Sequence, residues 1–187
     1  MYFDSRRSTI LATNGMVATS QPLAAVTGLR ILMEGGNAVD AAIAAAAALN
    51  VVEPMSTGVG GDMFALVWDN KKKTVSALNG SGRAPAAANI DELTRTGLKA
   101  MPDTGVYSVA TPGTVDGWQT LLEDCGSMPM SKVLAPAINY AENGFPVSQI
   151  IAFQWQQQLC STWYWLDMAR CFWRRRRCGK TLQLFHL

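Results

Sequence analysis

The sequence predicts an α+β fold or a layered sandwich, on three observations. Apolar residues recur at helical spacing in several segments. One short apolar run is followed by a turn and a second run that returns beside it as an antiparallel hairpin. One helix-length segment has no polar face at all. With 187 residues, 49% of them apolar and 16% charged, the chain is long enough for one domain with a sizeable core and too apolar for disorder.

The elements follow in order. Residues 15–20 (GMVATS) read as a short strand ending in a polar turn. Pro22 then stands where the first turn of a helix accepts proline, and Leu23, Val26, Leu29, Leu32 and Met33 recur at helical spacing up to Glu34. Gly35 and Gly36 stop that helix, and Asn37 is a good N-cap for the next, with Asp40 placed to meet its exposed amides. The second helix, Ala38–Val52, has alanine at eight positions between Ala38 and Ala48 and is apolar all round apart from Asp40 and Asn50. A helix without a polar face belongs in a core, and small side chains let its neighbours approach closely. Its length is far short of a membrane span.

Glu53 and Pro54 end this helix, and a glycine-rich loop (STGVGGD, 56–62) leads into MFALVWD (63–69), which reads as a buried strand. Asn70 and the lysines after it make a turn, and residues 74–78 are the returning strand. NGSGRAP (79–85) leads to a polar helix around 91–98. After a long loop come residues 106–110, then TPGTVDGW (111–118) running into a helix. Two more helices are predicted at 131–142 and 147–158.

The net charge of +2 is a sum of unlike parts. Residues 1–158 carry 10 Lys and Arg against 13 Asp and Glu, and residues 159–187 carry 6 against 1. Three of the four cysteines and three of the six tryptophans also lie in that last segment, which has neither helical nor strand periodicity. The reading therefore divides the chain into a body, 1–158, and an aberrant Trp/Cys/Arg-rich tail, 159–187, that resembles a frame-shifted translation. The cluster Arg174 to Arg177 comes without a regular basic face, which weighs against nucleic acid as a partner.

The single histidine, His186, excludes a multi-histidine metal site and a Ser-His-Asp triad in the body. No C-x-x-C pair exists, and Cys125 is alone in the body, which fits a reducing compartment. Residues 1–7 lack the apolar run of a signal peptide, so the expectation is a soluble cytoplasmic protein with no membrane partner, no metal and no cofactor.

GVGGD (58–62) fails as a dinucleotide fingerprint, because Met63 occupies the sixth position and a strand follows where a helix is required. Its glycines could supply positive φ, leave amides free for an oxyanion, or simply form a turn. Arg83 is the most interesting charge, since a guanidinium can hold a carboxylate through two parallel hydrogen bonds. A surface ion pair or a loop anchor is the competing reading. Asp40, Glu53 and Asp62 read as capping or solvated carboxylates.

Taken together, GGNAVDAAIA (35–44), Glu53 and Pro54, GVGGD (58–62), NGSGRAP (79–85), PGTVDG (112–117), LAPAI (134–138) and ENGFPV (142–147) resemble the γ-glutamyltranspeptidase family. The likeness runs in the family's own order from about Asn14 to Gln158. It implies an N-terminal-nucleophile hydrolase fold, a four-layer α-β-β-α sandwich, here incomplete. It also implies a precursor that cleaves itself before a threonine, whose own α-amine serves as base and so dispenses with histidine. By the same resemblance, Arg83 falls on the arginine that grips the substrate α-carboxylate.

The expected substrate class is γ-glutamyl or related amides such as glutathione, with a small subunit as the complementing partner. Thr162 and Thr181 lie in the tail, and the earlier threonines belong to large-subunit segments. The chain is therefore expected to lack the nucleophile, to have no catalytic residue of its own, and to expose apolar surface where its core is unfinished. The rival expectation is a non-enzymatic fragment that binds a small anion or a partner.

Overall fold

A computed structural model describes residues 8–102 and 105–161, and the Arg174 to Arg177 cluster, Thr162, Thr181 and His186 lie outside them. The order is α1 (Pro22–Met33), α2 (Ala38–Val52), β1 (Met63–Asp69), β2 (Thr74–Gly80), α3 (Ile90–Arg95), a 3-10 turn (Val106–Ser108), α4 (Thr114–Cys125), α5 (Met130–Asn143) and α6 (Gln149–Ser161). The α+β class is therefore observed, with one two-stranded antiparallel sheet among the described residues. No described helix is long and apolar enough to cross a membrane.

Helix α2 is the centre, with α1 and α5 packed along it and α4 bridging it to the hairpin. Ile43, Ala44, Ala47, Trp118, Leu121, Leu122 and Val133 form the core between them. The contacting face of α1 is not the predicted one. Ala24, Thr27, Gly28 and Ile31 are buried, whereas Val26, Leu29 and Met33 face outward. The cause is the alanine surface of α2, which lets α1 come so close that a Cβ on Gly28 would lie 3.0 Å from the Ala41 carbonyl oxygen. Only small residues fit that crossing.

The start of α2 is fixed as the sequence predicts. Asn37 Oδ1 accepts from the amides of Val39 and Asp40 at 2.8 and 3.1 Å, and Asp40 returns the bond by accepting from the Asn37 amide at 2.8 Å. Asp40 does more than cap. It is fully buried, and its carboxylate also accepts from the Ser127 hydroxyl (2.5 Å) and from the amides of Ser127 (3.0 Å) and Met128 (3.3 Å), tying α2 to the α4–α5 connection. Burial works to raise its pKa. The Ser127 hydroxyl and the three amides outweigh that and hold the carboxyl below its ordinary range.

Two further expectations change. Residues 15–20 form no strand, because they run against α1 and α2 and no described segment pairs with them. Strand β1 is buried on one face only. Met63, Ala65 and Val67 pack on the core, while Phe64, Leu66 and Trp68 are 68, 79 and 56% exposed, joined on that face by Val75 opposite Trp68. An apolar run reads as doubly buried in sequence, but no described residue covers the outer face. The polar helix is also shorter than expected, ending at Arg95, where Thr96 closes it and Gly97 turns at φ 83°.

Candidate functional site

Three of the glycine-bearing segments meet at one end of the hairpin. Met63 pairs with Gly80, so the loop that enters β1 and the segment that leaves β2 lie side by side. Helix α4 begins against both. Its N-cap is Gly113, which offers no capping side chain. The Gly61 carbonyl supplies the cap instead, accepting from the amides of Gly113 and Thr114, each at 3.1 Å, and from the Thr114 hydroxyl at 2.8 Å. Gly117, one turn on, packs so closely on β1 that a Cβ there would sit 2.5 Å from Met63 Sδ.

The segment 79–83 is pressed onto the same junction. A Cβ on Gly113 would lie 2.2 Å from the Gly80 carbonyl oxygen, and one on Gly82 would lie 1.9 Å from that of Thr111. Gly82 also has φ 67°, so both its conformation and its surroundings require glycine. By contrast, Gly58, Gly60 and Gly61 show no positive φ, and a Cβ on Gly58 or Gly60 would meet nothing within 4 Å. The positive-φ reading of that loop is therefore replaced. What the loop contributes is the Gly61 carbonyl.

Arg83 follows directly and is exposed. It lines an open cavity of about 660 Å³ with Pro85, Glu92, Leu93, Met101 and Tyr107 among its walls. It forms no hydrogen bond or ion pair with another described residue. A guanidinium without a partner among the described residues can donate two parallel hydrogen bonds to a carboxylate. Glu92 is the other charged wall residue among the described ones.

The remaining carboxylates play the parts predicted for them. Glu53 closes α2 and accepts from the Ser20 hydroxyl at 2.6 Å, and Asp62 is exposed. Thr114 was not singled out by sequence. The available signal was a helix start with glycine, and no capping side chain, immediately before it.

Residues 24–187 match the sequence profile of the family described as Gamma-glutamyltranspeptidase. The chain belongs to the γ-glutamyltranspeptidase family. The match runs past Gln158, where the likeness described above ends. Among curated relatives, a Bacillus subtilis glutathione hydrolase proenzyme is 39% identical over 154 residues, which is 80% of this chain and 26% of that protein. A glutathione hydrolase-like proenzyme of the same organism is 44% identical over 140 residues, 74% of this chain and 26% of that protein. The crystal structure of Helicobacter pylori γ-glutamyltranspeptidase superposes with a TM-score of 0.73 at 33% identity, covering 80% of this chain and 44% of that one. The chain thus spans about a quarter of the length of these curated relatives.

Proposed function

We propose that this chain carries the carboxylate-binding wall of a γ-glutamyl hydrolase or transferase. One observation supports the reading above the others: Arg83, without a hydrogen-bond or ion-pair partner among the described residues, lines an open cavity beside the segment that packs on the start of α4. Glutathione is the substrate class named for the B. subtilis relatives, and its γ-glutamyl group ends in an α-carboxylate of the kind Arg83 can clamp.

In the complete enzyme a threonine at the head of a small subunit attacks the γ-carbonyl. The hydroxyl proton passes to that threonine's α-amine and then to the leaving amine, which departs as the acyl-enzyme forms. Water or an amine acceptor then takes the acyl group and restores the hydroxyl. Arg83 holds the far end of the glutamyl group, which fixes the carbonyl relative to the nucleophile.

The body, 1–158, would be the first part of the large subunit. The exposed apolar row Phe64, Leu66 and Trp68 is what the inner face of a four-layer α-β-β-α sandwich looks like before the second sheet is laid on it. These 187 residues alone are accordingly catalytically inactive. Incubating the purified chain with glutathione or a chromogenic γ-glutamyl amide should release no glutamate. Release above a no-protein control, proportional to chain concentration, would overturn the inactivity.

A further inference from the structure

Thr114 is almost fully buried, and among the described residues its hydroxyl makes one hydrogen bond, to the Gly61 carbonyl. That bond adds a side-chain donor to the two backbone amides that already meet the Gly61 carbonyl. From it the contacts lead directly to Arg83. Thr114 and Gly113 hold Gly61, Gly113 abuts the Gly80 carbonyl and the Gly82 amide, and Gly82 sits against Thr111 immediately before Arg83. Arg83 has no hydrogen bond or ion pair to another described residue, and its backbone is located through this chain of close approaches.

We propose that Thr114 is a positioning residue for Arg83, acting through the Gly61 carbonyl. The proposal rests on the reading of Arg83 as a carboxylate clamp and adds a residue to it. Without the hydroxyl, Gly61 still accepts two amides, but the helix start loses the bond that draws it onto the loop. The segment 80–83, packed on Gly113 without hydrogen bonds of its own to it, then loosens.

The test uses the full 187-residue chain with Thr114→Val, which keeps the shape and removes the hydroxyl, and Thr114→Ser, which keeps the hydroxyl. Trypsin cuts after Arg83, and it also cuts in the exposed turn at Lys71, Lys72 and Lys73, which serves as an internal reference. Cleavage after Arg83 relative to the turn should rise about fivefold in Thr114→Val, the factor that one lost hydrogen bond of ordinary strength gives. L-Glutamate binding should weaken by a similar factor, and Thr114→Ser should restore both.

A merely structural role would raise cleavage at all sites together, and that result overturns the proposal. So does unchanged relative cleavage at Arg83 in Thr114→Val while glutamate binding persists. Absence of glutamate binding in the parent chain overturns instead the reading of Arg83 on which the proposal rests. Should Thr114→Val fail to fold, amide exchange in the parent chain decides. Protected Gly113 and Thr114 amides support the clamp, and unprotected ones overturn it.

Discussion

Replacing Asp40 by asparagine leaves the side chain's shape almost intact, yet both of its oxygens face only donors. Oδ1 takes the amides of Ser127 at 3.0 Å and Met128 at 3.3 Å, and Oδ2 takes the Asn37 amide at 2.8 Å and the Ser127 hydroxyl at 2.5 Å. Whichever way the new amide is turned, its NH2 group meets a backbone N–H. One or two buried donors left unpaired, at about 1–3 kcal/mol each, give an expected loss of about 2–4 kcal/mol. That is a large part of the roughly 5–15 kcal/mol that holds a domain together.

The loss carries a pH signature. The folded pKa of Asp40 is depressed, so its contribution is complete above the unfolded value of about 3.9 and is lost as the pH falls from there through the folded pKa. Urea unfolding followed by tryptophan fluorescence, with Trp118 buried as a reporter, should show the full gap between parent and Asp40→Asn at pH 7. The gap should narrow below about pH 4. Equal stability at pH 7, or a gap that widens on acidification, would refute the reasoning.

Two further outcomes follow from the same geometry. Gly82→Ala must force a Cβ into the Thr111 carbonyl at a positive φ, so its melting temperature should fall by several degrees, whereas Gly58→Ala and Gly60→Ala should melt within about 0.5 kcal/mol of the parent. Equal effects at all three positions would show that the junction is not close-packed. The exposed row Phe64, Leu66, Trp68 and Val75 should make the isolated chain bind a hydrophobic dye. Leu66→Lys with Trp68→Lys should remove most of that signal, and undiminished fluorescence in the double variant would place the apolar surface elsewhere.

Features fixed by neighbours in sequence were legible. The Asn37 and Asp40 cap, the glycine stop after α1, and the hairpin between Asp69 and Thr74 each depend on residues a few positions apart. Features set by tertiary approach were not. The periodicity of α1 pointed to Val26 and Met33, but the alanine face of α2 selects Gly28 and Thr27 by distance of approach rather than by hydrophobicity. Strand β1 looked buried on both faces because composition cannot say whether a second layer is present. The Gly61 clamp joins residues 53 positions apart, and no local pattern encodes it. Arg83 was visible as an isolated charge among glycines, but the cavity it lines is displayed only by the fold.

The most direct test of the chain's role is an NMR titration of the Arg83 side chain with L-glutamate, set against γ-aminobutyrate, which lacks the α-carboxylate. If Arg83 clamps the α-carboxylate, glutamate should produce saturable shifts at Arg83 and, across the cavity, at Tyr107, and Arg83→Ala should abolish the Tyr107 shift. γ-Aminobutyrate should produce none. An equal response to both compounds, or a Tyr107 response that survives Arg83→Ala, would contradict the assignment.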